Sequence, residues 1–268
     1  MKKLFLGIIS FMSLIFISSC SIIGNLVTIT FLNVGKADAI LIDANNTLTV
    51  IDTGTSDTSS ILIDEINNLG YTKIDMLIIT HFDKDHVGGA YDLVSNFNID
   101  NIYMTYQVKE NDETTLFLNA VKEKNVSNET LLENKTLTLG EIKYDIYAAT
   151  NSYTKDESNN SSLAIMATYG QNKFFFAGDA EKQRIKELVK LDIKADLLKV
   201  PHHGTIEDNS NDLIKKVSPS ISIITSSDTD LEDEELKQLL IDNNSSVYLT
   251  RNGTIKVTSD KVNINVNQ

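Results

Sequence analysis

The feature that most restricts the fold is an apolar run ending in a crowd of metal-capable side chains. Residues 74–79 read as a strand covered on both faces. They lead directly into Thr80-His81-Phe82-Asp83-Lys84-Asp85-His86-Val87-Gly88-Gly89. His81, Asp83 and Asp85 follow one another at every second position, and in an extended segment that spacing puts side chains on one face. Asp85 and His86 are neighbours that must point differently, so they can serve a second ion. Gly88 and Gly89 are expected to permit a tight backbone turn into the next helix. A strand end feeding a loop is where layered α/β proteins place ligands. The chain has only 4 histidines, so two of them beside two aspartates is a marked concentration.

The other two histidines, His202 and His203, follow a second short apolar strand at 197–200. Asp179 closes a third strand in Phe176-Ala177-Gly178-Asp179, and Asp52 closes a fourth in Ile51-Asp52-Thr53-Gly54. Taken singly, an aspartate at such a place is more often a cap or turn residue. Gathered from several strand ends, these side chains form the kind of set from which a layered fold assembles a site.

Alternation and β-branched residues predict strands over 26–32, 39–42, 48–51, 99–106 and 221–225. A hairpin is expected from 163–168 and 174–177 around Gly170, and short strands between polar turns across 125–160. Helical spacing predicts helices over 61–69, 90–97, 116–124, 180–191, 212–217 and 234–241. Asn252-Gly253 between 247–250 and 254–257 predicts a second hairpin. With no short repeat and no Pro-rich hinge, strands and helices alternating irregularly define one layered α/β or α+β domain over residues 26–268.

The start of the chain reads as an address. Lys2 and Lys3 precede an apolar run over 4–17 and then Ser18-Ser19-Cys20, the order of a secretory signal peptide. Ile17-Ser18-Ser19-Cys20 resembles a bacterial lipobox. Residues 1–19 are therefore expected to be removed, Cys20 to be lipidated, and 20–25 to form a short tether to the extracellular face of the cell membrane. An uncleaved anchor is the other reading, and it places the domain on the same side. The single cysteine excludes a disulfide framework and a Cys-rich zinc module. A formal net charge of −13 argues against a protein that holds nucleic acid by a broad basic surface.

His-x-Asp-x-Asp-His-x-Gly-Gly at 81–89, preceded by Asp52-Thr53-Gly54 and followed by Gly178-Asp179 and His202-His203-Gly204, resembles the metallo-β-lactamase superfamily. The nearest likeness is to the metallo-β-lactamase-like domain of competence DNA-internalisation proteins. The stretch 31–42 resembles the opening strand and turn of that group, departing from it at Asn33 and at Lys36-Ala37. The resemblance implies a four-layer αββα sandwich and two divalent metal ions at one edge of paired sheets. His81 and Asp83 match ligands of the first metal, Asp85 and His86 ligands of the second, and Asp179 the carboxylate shared by both. One histidine of the 202–203 pair matches the last ligand; His203 is favoured, with His202 behind it or on the substrate. Asp52 matches a residue that orients the histidine loop, and Asp38 is placed near the mouth. Many superfamily members supply a further histidine to the first metal, and this chain has none between His86 and Asp179. Asn159 or Asn160 can offer an oxygen there, directly or through water.

Three aspartates against two divalent ions leave about +1, which suits a bridging hydroxide and an anionic substrate. An oxygen ligand at position 83 makes Mn²⁺ a rival to Zn²⁺. The expectation is an extracellular, membrane-anchored metal-dependent hydrolase of phosphodiesters, with Asp85 and His202 as catalytic residues. Its substrate is expected to be DNA or an envelope polymer. The alternatives are a lactone, thioester or β-lactam hydrolase on the same site, or a non-catalytic module that binds DNA or envelope. The sequence says nothing of oligomeric state.

Overall fold

A computed structural model describes residues 26–149, 153 and 157–268. The signal segment, Cys20 and the tether lie outside the described residues. Among the described residues no helix is long and apolar enough to cross a membrane.

The first half of the chain contributes β1 (Val27–Phe31), β2 (Ala39–Ala44), β3 (Thr47–Thr53), α1 (Ser59–Asn68), β4 (Lys73–Ile79), α2 (Lys84–Val87), α3 (Ala90–Asn96), β5 (Asn98–Met104), α4 (Asp112–Glu123) and β6 (Ser127–Thr130). The second half contributes β7 (Lys135–Leu139), β8 (Ile142–Tyr147), α5 (Glu157–Asn160), β9 (Ala164–Tyr169), β10 (Asn172–Phe176), α6 (Lys182–Leu188), β11 (Leu197–Lys199), α7 (Ser210–Val217), β12 (Ile221–Ile224), α8 (Glu234–Asp242) and β13 (Ser246–Leu249). Two last strands, β14 (Ile255–Ser259) and β15 (Ile264–Asn267), return to the first half. The strands form two sheets, ordered β15-β14-β1-β2-β3-β4-β5-β6 and β13-β12-β11-β10-β9-β8-β7.

Each sheet buries both faces, which is why its strands alternate between two apolar cores. In β2, Ile40 and Ile42 pack into the core between the sheets, while Leu41 joins the helix-side core with Leu62, Ile66 and Leu93. In β10, Phe174 and Phe176 face the other sheet and Phe175 faces the helices with Ile185 and Leu188. Phe31 and Phe176 stack across the gap with ring centroids 6.1 Å apart. Each such fully buried side chain contributes roughly 1.5–3 kcal/mol. The arrangement is the expected four-layer αββα sandwich.

Strands β3 to β6 run parallel, and so do β10 to β13. Their carboxyl ends carry Asp52, His81, Asp179, His203 and Thr225 to the same edge. The hairpin at Gly170 forms as expected, with Tyr169 paired to Asn172.

Three expectations are corrected. Asn252-Gly253 does not turn a hairpin: β13 pairs with β12 in one sheet and β14 with β1 in the other. The open edge of β1 wins the strand that local turn chemistry would have folded back. Gly88 and Gly89 have ordinary negative φ of −59° and −86°, so no unusual turn is needed. They are small because backbone passes against them: a Cβ on Gly88 would lie 2.3 Å from the Lys84 carbonyl oxygen, and one on Gly89 2.5 Å from that of Thr53. Helix α4 begins at Asp112, ahead of the expected 116, because Asn111 accepts from Thr114 N at 2.7 Å and caps it. The same Asn111 donates to the Phe82 carbonyl at 3.0 Å and so ties α4 to the histidine loop.

Candidate metal centre

Three imidazoles meet at one carboxylate oxygen. Asp179 Oδ2 lies 3.1 Å from His86 Nε2, 3.2 Å from His203 Nε2 and 4.0 Å from His81 Nε2. The far nitrogen of each ring fixes which atom faces inward. His86 Nδ1 donates to Asp52 Oδ2 at 2.8 Å, and Asp52 is itself held by Thr80 N at 2.7 Å and Thr80 Oγ1 at 2.6 Å. His203 Nδ1 is 3.1 Å from the Thr225 carbonyl, which can only accept. The Thr80 hydroxyl spends its proton on Asp52, so it accepts from His81 Nδ1 at 3.1 Å. In the neutral rings all three Nε2 atoms would therefore point lone pairs at a carboxylate.

Such a gathering of acceptors calls for positive charge. Asp85, His86, Asp179 and His203 each offer a ligand atom, all within 4.8 Å of one another. His86 Nε2 and His203 Nε2 are 3.3 Å apart, and Asp85 Oδ2 is 3.2 Å from His203 Nε2 and 3.9 Å from His86 Nε2. A tetrahedral ion with bonds of about 2.0–2.1 Å needs ligand atoms roughly 3.3–3.4 Å apart. His81 Nε2 is buried with no hydrogen-bond partner among the described residues. The donor set fits a divalent ion.

The electrostatics agree. Burial opposes charge on His86, but Asp179, Asp52 and Asp85 overcome it and hold its pKa well above the usual imidazole value. Burial opposes charge on His203 too, and Asp179 with Asp85 and Asp38 raises it to about 9. Burial, then repulsion from His86, pushes His81 down to about 3. Burial favours the neutral form of Asp179, yet His203, His86 and Lys199 hold it ionised, well below the usual range. Without a metal, protons on His86 and His203 balance the carboxylates; a bound ion would supply that positive charge instead.

The remaining expected residues are distributed unevenly. Asp83, matched to the first metal, turns its Oδ2 to Lys109 Nζ at 2.8 Å and its Oδ1 to the Ser158 hydroxyl. Asp38 lies deep behind His203 and not at the mouth: it is fully buried, pairs with Lys199, and accepts from Thr225 Oγ1 at 2.7 Å. His202 is at the rim, its side chain 25% exposed, with Nδ1 3.5 Å from Glu181 Oε1. Asn159 donates to that same Glu181 oxygen at 2.7 Å and lies 3.4 Å from His202 Nε2. Asn160 is committed elsewhere, its Oδ1 accepting from Arg184 N at 2.9 Å at the start of α6. His202 and His203 both sit in the left-handed region, at φ 49° and 51°. That turn sends adjacent side chains to different depths.

Six participants were not singled out in the sequence: Thr80, Thr225, Lys109, Ser158, Glu181 and Lys199. Only Lys199 leaves a local signal, a charge inside the apolar run Leu197-Leu198-Lys199-Val200. The others act through partners far away in the chain, Thr80 through Asp52 as well as its neighbour His81.

Fold and site together define a two-sheet metallo-hydrolase architecture with a His/Asp cluster able to bind metal ions. The sequence pattern of the Metallo-beta-lactamase superfamily matches residues 32–226, and the chain belongs to that superfamily. It is similar to ComE operon protein 3 of Bacillus subtilis (strain 168), 27% identical over 202 residues that make up 73% of this chain and 26% of that protein. It is also similar to Recombination protein 2 of Haemophilus influenzae, 26% identical over 200 residues, 73% of this chain and 24% of that protein. The chain thus spans about a quarter of the curated relatives it matches. Among solved structures, the metallo-beta-lactamase fold protein YhfI from Bacillus subtilis superposes with a TM-score of 0.57 at 12% identity, covering 84% of this chain and 96% of that one.

Proposed function

We propose that this chain is a metal-dependent phosphodiesterase held on the extracellular face of the membrane by a lipid on Cys20. The observation that carries the reading is the closed group of Asp85, His86, Asp179 and His203, whose ligand atoms all lie within 4.8 Å of one another. Divalent ions bound there supply a Lewis acid and lower the pKa of water toward neutrality. Asp85, His86, Asp179 and His203 would hold one ion. His81, 4.0 Å from Asp179 Oδ2, would begin a second position, for which Asp83 would have to leave Lys109 and Ser158. Asp52 and Thr225 keep His86 and His203 turned with Nε2 inward. Asp85, the most open of the four at 35% side-chain exposure, faces the incoming substrate. His202 at the rim is placed to hold or move a proton on the leaving oxygen. Lys109, released from Asp83, is a cation for a phosphate.

An anionic diester suits a site whose cations are recruited ions, in a chain with net charge −13 and few arginines. The likeness to competence DNA-internalisation proteins, and a relative named for recombination, favour DNA as the diester over an envelope polymer. The test is turnover of bis(p-nitrophenyl) phosphate by the purified chain with Zn²⁺ or Mn²⁺, beside lactone, thioester and β-lactam substrates. Diester turnover that vanishes in Asp85→Ala supports the reading. Turnover confined to a lactone, thioester or β-lactam moves the substrate class. Metal uptake with no turnover of any of them establishes the binding-module alternative, which the engagement of Asp83 by Lys109 and Ser158 favours.

A further inference from the structure

Lys199 is the one lysine whose side chain is wholly buried among the described residues. It closes β11, and its ammonium pairs with the Asp38 carboxylate, donates to the Gly178 carbonyl at 3.3 Å and lies at ion-pair distance, 3.5 Å, from Asp179 Oδ1. Burying an ion pair gains little by itself, since a well-packed apolar pair of the same size is often as stable. The partners suggest a different reason for a lysine here.

Asp179 has two oxygens with different company. Oδ2 faces the three histidine nitrogens, and Oδ1 faces Lys199. Asp38, the other anion on Lys199, accepts from Thr225 Oγ1 at 2.7 Å, and that hydroxyl lies 2.9 Å from His203 Nδ1. Asp38 Oδ1 is also 3.6 Å from His203 Nδ1 directly. One ammonium therefore touches one ligand of the cluster and reaches another through a carboxylate and a threonine. We propose that Lys199 is a positioning residue that reserves Oδ1 of Asp179, so that the carboxylate offers a single oxygen to metal, and that braces His203 through Asp38 and Thr225. The inference rests on the reading of Asp85, His86, Asp179 and His203 as a metal centre.

The geometry decides against a purely space-filling role. A lysine that merely satisfied Asp38 could lie anywhere along that carboxylate. This one lies between Asp38 and Asp179, where it offsets the repulsion between two buried anions. Its loss frees Asp179 to turn both oxygens to the ion, and outer partners of this kind typically change metal affinity by about 10–100-fold.

The test uses Co²⁺ as the probe metal in the purified full chain. Lys199→Met alone strands Asp38 and can unfold the protein, so the decisive variant is Lys199→Met with Asp38→Asn, compared with Asp38→Asn alone. The expected result is a Co²⁺ dissociation constant, read by chelator competition, about 10–100-fold weaker in the double variant than in Asp38→Asn. Its visible Co²⁺ absorption should also be weaker, as a carboxylate binding through both oxygens raises the coordination number. Equal affinity and an identical spectrum in the two variants overturn the inference while leaving the metal centre intact. A wild-type chain that takes up no Co²⁺ overturns the metal reading and this inference together.

Discussion

On one side of Asp179, His86 and His203 are each braced from behind, by Asp52 and by Thr225, and Asp85 completes a set of ligand atoms within 4.8 Å of one another. On the other side stands His81, 4.0 Å from the same oxygen, while the carboxylate expected beside it is turned to Lys109 and Ser158. Asp179 and His203 follow β10 and β11 of one sheet, and Asp52 at the end of β3 in the other sheet braces His86 in α2, so both sheets fix this side. The second side depends on Asp83 in the histidine loop, on Lys109 ahead of α4 and on Ser158 in the short α5. A dinuclear centre assembled from these halves should have one tight and one exchangeable position.

The largest effect expected from breaking this contrast is Asp179→Asn, which removes charge from the oxygen both sides share. Diester turnover should fall about a thousandfold, since metal stabilisation is worth several kcal/mol and about 1.36 kcal/mol is tenfold in rate. Steady-state kinetics at saturating metal read this directly, and near-wild-type turnover would remove Asp179 from the mechanism. Next is Asp52→Ala, which leaves His86 unbraced. Metal affinity measured by chelator competition should drop about 10–100-fold with the fold intact by circular dichroism.

Stripping the metal should lower the thermal midpoint by about 5–10 °C. An ion at a hundred times its dissociation constant contributes about 2.7 kcal/mol, and 1 kcal/mol moves a domain of this size by roughly 2–4 °C. Differential scanning calorimetry with and without chelator should show the shift in wild type and not in Asp179→Asn. The smallest effect belongs to Asp83→Asn, which should keep the calorimetric shift and the first equivalent of metal while losing the second. Loss of both equivalents would show that the two sides are not separable.

The metal-free protein has its own pH signature. His203 is raised to about 9 in the folded chain against 6.5 for a free imidazole. Its proton stabilises the folded state fully below the unfolded pKa, and that contribution is lost as pH rises through 9. Apo protein should therefore become easier to unfold in urea between about pH 6.5 and 9, and metal-loaded protein should not show that decline.

Much of the site was readable because its residues end apolar strands. His81, Asp52, Asp179 and His203 each follow a run whose burial pattern announces a strand, and those strands carry them to one edge. The unread part was long-range. Thr225 meets Asp38 across 187 positions, and nothing near either residue in the chain says so. Asp83 looks identical in sequence to Asp85, yet Lys109 and Ser158 draw one away while His203 holds the other. The left-handed turn runs through His202 and His203 into Gly204, and the glycine alone does not announce that the two histidines before it share its conformation, so their separation was equally hidden. Asn252-Gly253 misled in the opposite sense, a strong local turn signal overruled by the free edge of β1.

The most direct test of the centre is anomalous diffraction from crystals grown with Zn²⁺ or Mn²⁺. The expected peak lies about 2.0–2.2 Å from the Nε2 atoms of His86 and His203 and from the Asp85 and Asp179 carboxylates, with any second peak on the His81 side weaker. A strong peak bound by His81 and Asp83 with none at His203, or no peak at all, would contradict it.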